Sequence, residues 1–222
     1  MLRLQVADDH QGLAMAPGRL VVAGYTGRDQ AAVDAHIDEL AAIGVPPPPS
    51  VPAFYELDPA LVTTEEAVEV RGAATSGEVE PVLVRHRGRW FLGVGSDHTD
   101  RDLERQDIVA AKAACPKPLA PAVLALPGGL DALDWDAVEV WAQVDGEDYQ
   151  RGTLAALRRP LELLARLTEH AGEDGADLVV YAGTLPLLGG HFRPGTAWRV
   201  GLRTVEGQEL AHAYAVTARP RE

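Results

Sequence analysis

The sequence predicts an α+β fold, rich in β-strands, with about three helices. Short apolar runs recur between turn signals from one end of the chain to the other. Helical periodicity is confined to three stretches, and these do not alternate with strands as a doubly wound sheet requires. With 222 residues, the chain is expected to form one domain spanning 1–222.

In order, Leu2 to Val6 alternates apolar and polar, and Arg19 to Ala23 is apolar after Pro17-Gly18, so both read as strands. A helix is expected from about Arg28 to Ile43, with Val33, Ile37, Leu40 and Ala41 on one face and Gly44 and Pro46 as its stop. Val68-Glu69-Val70 reads as a short strand. Val82-Leu83-Val84 and Trp90 to Val94 flank Arg87-Gly88-Arg89 and read as a hairpin. Asp100 to Ala114 reads as a second helix, capped by Thr99 or Asp100. Val138 to Trp141 alternates, and Asp145-Gly146 is a hairpin turn signal. Pro160 opens a third helix running to about Ala171, with Leu163, Leu164 and Leu167 inward and Gly172 closing it. Leu178 to Tyr181, Ala197 to Arg203 and Leu210 to Val216 complete the strands.

The balance of charge, 20 Lys and Arg against 33 Asp and Glu, argues against nucleic acid and anionic membranes as partners. The single cysteine, Cys115, precludes an internal disulfide and fits a packed residue in a reducing cytoplasm. No apolar run has the length of a membrane span, so a soluble cytoplasmic protein is expected.

The most informative stretch is Ser76 to Glu104. Glu78 and Glu80, two apart, leave the same face of a strand, and the following hairpin can bring Asp97 back beside them. Three carboxylates on rigid strands suit Mg²⁺ or Mn²⁺ better than zinc. An isolated Glu-x-Glu is more often a solvated strand face, so spacing alone does not establish a metal site.

Four ordered segments resemble the fumarylacetoacetate hydrolase family, specifically its catalytic C-terminal domain and, within it, a bacterial branch of unknown function. They are Gly77 to Glu80, Ser96 to Leu103, Val144 to Thr153, and Ala182-Gly183-Thr184 with Gly189 and Gly190 beyond. Gly24 to Ala31 is a weaker match. The resemblance implies a β-rich mixed-sheet roll or sandwich and a homodimer. It implies that Glu78, Glu80 and Asp97 ligate Mg²⁺ or Mn²⁺, with Ca²⁺ as an alternative. It implies a small oxo-acid substrate of the acylpyruvate or β-diketo type, whose adjacent oxygens chelate the metal. Lys112, Arg101, Glu104 and His98 become the candidate catalytic residues. Arg101, Gly183, Thr184 and Gln30 become the candidate substrate contacts.

The departures are equally specific. Where hydrolytic relatives carry a water-activating His, this chain has Gln30, which cannot accept a proton near neutral pH. Ser96, Asp100 and Glu104 stand where the family has Asn, Ala and Gln, and His98 fills a slot that is usually apolar. The expected function is a metal-dependent hydrolase or a related decarboxylase or hydratase. The alternative is a non-catalytic relative that binds a small acid or serves as a dimeric module.

Overall fold

Alternating burial marks the strands with one solvated face, while the central strands of the large sheet are buried on both faces. In β1 (Leu2–Val6) the leucines and valine are buried while Arg3 and Gln5 face solvent. The computed structural model describes residues 1–8, 11–42, 46–172 and 175–221. Along it follow β2 (Gly12–Met15), β3 (Arg19–Gly24), α1 (Gln30–Ala42), β4 (Ala53–Leu57) and β5 (Ala67–Arg71). Next come β6 (Val79–His86), β7 (Arg89–Ser96), α2 (Arg101–Glu104), α3 (Ile108–Ala113) and β8 (Ala122–Ala125). The remainder is β9 (Glu139–Val144), β10 (Glu147–Thr153), α4 (Pro160–Ala171), β11 (Leu178–Tyr181), β12 (Ala197–Arg203) and β13 (Glu209–Arg219).

Eight strands form a mixed sheet in the order β2-β1-β8-β7-β6-β11-β3-β4, and five form a second in the order β10-β9-β12-β13-β5. In the first sheet β1 runs parallel to β8 and β11 to β3; in the second only β13 and β5 are parallel. Leu4 and Leu13 near one edge of the large sheet join Leu57 at its other edge in a single apolar cluster, so the sheet curls around an interior of its own. Its outer face shares a second cluster with the five-stranded sheet, where Val79, Leu83 and Leu92 meet Val140, Trp198 and Val200. The expected roll-and-sandwich architecture is therefore present.

The period of two along β6 and β7 decides where the acidic residues go. Val82 and Val84 point into the roll, Val79 and Leu83 toward the second sheet. Glu80, in phase with Val82 and Val84, belongs to the roll's interior stripe and is 2% exposed. Across the hairpin Glu80 pairs with Gly95, and one step further the Asp97 amide donates to the Glu78 carbonyl at 2.9 Å. The two-residue turn, Arg87 and Gly88, has positive φ at both positions, as does the Asp145-Gly146 turn of the β9–β10 hairpin.

Three expectations need correction. The helix expected over Asp100 to Ala114 is two short helices. Asp100 caps the first as expected, but Asp107 adopts extended backbone and caps a second start through the Ala110 amide. The described residues thus hold four α-helices, not three. In α1, capped by Asp29, Val33 is buried and Ile37 half-buried, but Ala41 is exposed. The Leu40 side chain and the expected helix end at Ile43 and Gly44 lie outside the described residues. β2, β4 and β8 are strands that the turn signals and apolar runs did not single out.

Helix α4 matches expectation from Pro160 to the Gly172 cap, whose φ is 76°. It docks Leu163 and Leu167 into the cluster between the sheets and leaves Leu161 48% exposed. Replacing Leu163 by Ala should lower the unfolding free energy in a urea titration by about 2–5 kcal/mol, through lost burial plus the cavity left behind. The same change at Leu161 should stay within about 0.5 kcal/mol.

Candidate active site at the end of the roll

At the end of the roll interior the apolar stripe gives way to charge. Asp97 is fully buried, and each of its oxygens meets an ammonium. Lys112, from α3, donates to Oδ2, and Lys117 lies 3.2 Å from Oδ1. Two cations outweigh the burial that would raise the Asp97 carboxyl, holding it well below the usual carboxylate range. Lys117 is completely buried and donates also to the carbonyls of His98 at 2.6 Å, Lys112, and Cys115 at 3.1 Å. Burial lowers Lys117. Lys112 is raised instead: its burial is outweighed by the carboxylates of Asp97, Glu78 and Glu80. One ammonium thus serves a single carboxylate and a set of carbonyls, whereas the other answers a whole acidic cluster.

Glu80 is pushed well above its ordinary value by burial first and by Asp97 second, and its Oε2 accepts from the Gly183 amide at 2.8 Å. Glu78, just before β6, is raised by burial despite its 3.0 Å contact with Arg101. Arg101, the first residue of α2, is fixed on four sides. It donates to Ser76 Oγ at 2.7 Å, to Glu78, and to Glu104 Oε2 at 2.9 Å, while the Phe192 ring covers its guanidinium at 3.6 Å. Tyr55 lies beside Lys112, its ring centre 5.7 Å from Nζ. Burial and the charge of Glu104 raise the Tyr25 phenol, which sits in the loop after β3 with φ at 57°.

Burial excludes the solvated-face reading for Glu80, while Glu78 is half-buried against Arg101. Arg101 pairs with Glu78 and Glu104, Lys112 pairs with Asp97, and Glu80 lies within electrostatic reach of Asp97, Glu78 and Lys112. Yet among the described residues no three Asp, Glu, His or Cys side chains converge closely enough to hold an ion as they stand.

Other candidates are placed differently. His98 is fully buried in an aromatic layer, edge-on to Trp198, with Nδ1 3.2 Å from the Tyr214 hydroxyl and Nε2 3.0 Å from Thr75 Oγ1. Burial, then the charge of Lys117, lowers it to about 3, so it is a neutral packing residue and not the expected acid or base. Thr184 donates to the Val79 carbonyl and accepts from Gln150, both at 2.8 Å, so its hydroxyl is spent on the fold. The Gly183 amide holds a carboxylate, but the protein's own. Gly183 itself is required: its φ is 102°, and a Cβ there would stand 1.7 Å from Thr26 Oγ1. Gln30 is exposed, its amide shared between Asp34 and Arg158 at 2.7 Å each, and no contact joins it to the acidic cluster.

The sequence reading missed Lys117, Tyr25, Tyr55 and Gln150. Gln150 is fully buried, its amide accepting from Val79 N–H and donating to the Leu185 carbonyl, and it locks the Gly183 loop to β6. A signal for Lys117 was available: Lys112 and Lys117 are the only lysines in a chain whose other basic residues are all arginine.

The family model described as a protein of unknown function (DUF2848) matches residues 23–214. Among solved structures, a candidate fumarylacetoacetate isomerase/hydrolase from Oleispira antarctica superposes with TM-score 0.70 at 17% identity, over 98% of this chain and all of that one. Fumarylpyruvate hydrolase from Pseudomonas aeruginosa, crystallised with Mn²⁺ and pyruvate, gives 0.67 at 19% identity, over 98% and 96% of the two chains. A 5-carboxymethyl-2-hydroxymuconate delta-isomerase from Mycobacterium smegmatis gives 0.60 at 17% identity, over 92% and 80%. No curated protein matches significantly.

Removing Lys117 leaves Asp97 short of a cation and several buried carbonyls short of a donor. Lys117→Met should therefore cost about 3–5 kcal/mol of unfolding free energy in a denaturant titration. A loss below about 1 kcal/mol, the scale of a surface ion pair, would show that the buried network does not hold this end of the roll together.

Proposed function

This chain belongs to the DUF2848 family and carries the fold of the fumarylacetoacetate hydrolase-type structures, and from that premise we propose that it is an enzyme acting on a small oxo-acid of the acylpyruvate type. The reaction is a hydrolysis or a related lyase step at a carbon–carbon bond. The observation that carries this reading is a charge cluster whose centre, Glu80, Asp97, Lys112 and Lys117, is buried and whose rim, Glu78, Arg101 and Glu104, is half-buried. Glu78, Glu80, Asp97 and Glu104 set four carboxylates against the three cations Arg101, Lys112 and Lys117.

The donor chemistry fits a divalent ion of the Mg²⁺ or Mn²⁺ kind, which favours carboxylate oxygens. Glu78 and Glu80, raised by burial, are groups that a cation would stabilise in their ionised form. Glu78, Glu80 and Asp97 would hold the ion, which when bound would withdraw electrons from two chelated substrate oxygens and stabilise an enolate.

The chain's own residues support the rest of the chemistry. Arg101 is held rigidly by Ser76, Glu78 and Glu104, so its positive charge is preorganised for an anionic substrate. Glu104 orients Arg101 and takes that part instead of acid–base work. Lys112 keeps its proton and offsets negative charge that develops beside Asp97. Phe192 and Tyr55 place ring faces over Arg101 and Lys112, where a cation is favoured. Gly183 and Thr184 are committed within the protein, so attraction of a substrate carboxylate falls to the positive charge of this end of the roll, Arg101 and Lys112.

A second reading, a binder of small acids without turnover, draws support from Gln30, which offers no base and stands apart from the cluster.

Mg²⁺ or Mn²⁺ added to chelator-treated protein should raise its melting temperature, and oxalate or pyruvate should raise it further, because both ligands bind only the native state. Glu80→Ala should abolish both shifts. Turnover of an acylpyruvate panel, followed by loss of enol absorbance, would then decide for the enzyme. Shifts without turnover across the panel would decide for the binder, and no shift with any ion would remove the metal reading.

A further inference from the structure

The chain contains just two lysines, and both are buried on the two oxygens of one carboxylate. Everywhere else among the described residues the ion pairs with carboxylates use arginine or histidine, even at surface pairs such as Arg219–Glu69 and Arg193–Glu147. Lysine differs from arginine in being a compact point charge on a flexible stem. The cluster has therefore kept the one basic side chain small enough to occupy a place an ion could take.

The two are not equivalent. Lys117 is immobilised, with no exposure and bonds to three backbone carbonyls besides Asp97. Lys112 makes a single hydrogen bond, to Asp97 Oδ2, and its side chain is 8% exposed. Its stem rises from α3, a helix of six residues, and the Tyr55 ring lies near enough to accept a displaced ammonium on its face.

We propose that Lys112 is a built-in counter-ion of the Glu78–Glu80–Asp97 cluster, and that a divalent cation binds only by displacing its ammonium from Asp97. The inference rests on the proposed metal site and deepens it. In the absence of a divalent ion the lysine offsets the repulsion among these three carboxylates, of which Glu80 and Asp97 are buried. When the ion arrives, Asp97 exchanges one cation for another, and the ammonium stays beside the site as a positive group next to a bound acid. The consequence is a weakened intrinsic affinity for the ion, so that loading depends on a chelating acid bound with it.

Calorimetric titration of Mn²⁺ into chelator-treated wild type and Lys112→Met tests this. The variant should bind Mn²⁺ about tenfold tighter or better, since it removes a like charge from contact distance. It should also melt lower than wild type without Mn²⁺ and recover with it. Equal or weaker binding by the variant overturns the displacement while leaving the metal site standing; no binding by either protein removes the metal site and this inference together. Should Lys112→Met not fold, reductive methylation of wild type decides, with the Met1 amine as an accessible control. Labelling of Lys112 that increases with Mg²⁺ while Lys117 remains protected supports displacement, and labelling unchanged by Mg²⁺ overturns it.

Discussion

The constraint on which this end of the molecule depends is the burial of Asp97. A carboxylate without solvent must be paired, and pairing it demands that chain from well beyond the hairpin return to it. Lys112 and Lys117 supply that return. Their positions explain the local backbone: the chain leaves β7, makes α2, restarts at Asp107 as α3, and comes back under the strand end at Lys117. A continuous helix from Asp100 to Ala114 would satisfy local propensity. The re-cap at Asp107 instead accompanies a path that delivers both ammoniums to one carboxylate.

A second layer supports the first. His98, Trp198, Tyr214 and Tyr149 pack edge-on and stacked between the sheets, beside the strand end that leads to Asp97. Tyr214 donates to Ser96 Oγ at 2.8 Å, and a Cβ at Gly77 would stand 2.3 Å from that same oxygen. Gly77 is thus the close approach that lets the strand carrying Glu78 and Glu80 pass beside β7. The five-stranded sheet contributes no charge to the site, but its aromatic residues fix the height of the strand ends that carry the charges.

Strand-level features were legible in the sequence wherever a period of two or a turn signal was strong. The β6–β7 and β9–β10 hairpins, α4 and β11 fall where the pattern puts them. The grouping of Glu78, Glu80 and Asp97 was legible for the same reason, since it depends only on strand phase and one hairpin. What was not legible is which polar atoms are already spent. Thr184 and the Gly183 amide read as substrate contacts, but the fold uses both to tie the loop after β11 to β6. His98 reads as an acid–base group beside a carboxylate, yet in the fold its ring packs away from the Asp97 carboxylate, among aromatics.

By itself, then, the sequence determined the fold class, the acidic stripe and the paired hairpins, because these follow from side-chain periodicity over a few residues. Only the tertiary structure decided what neutralises that stripe. The contacts of Lys112 and Lys117 with Asp97, of Phe192 with Arg101 and of Gln150 with Thr184 join segments separated by loops, sheets and helix breaks. No local pattern encodes such contacts. They exist because buried charges and donors must each find a partner, and the folded chain alone fixes which partner is within reach.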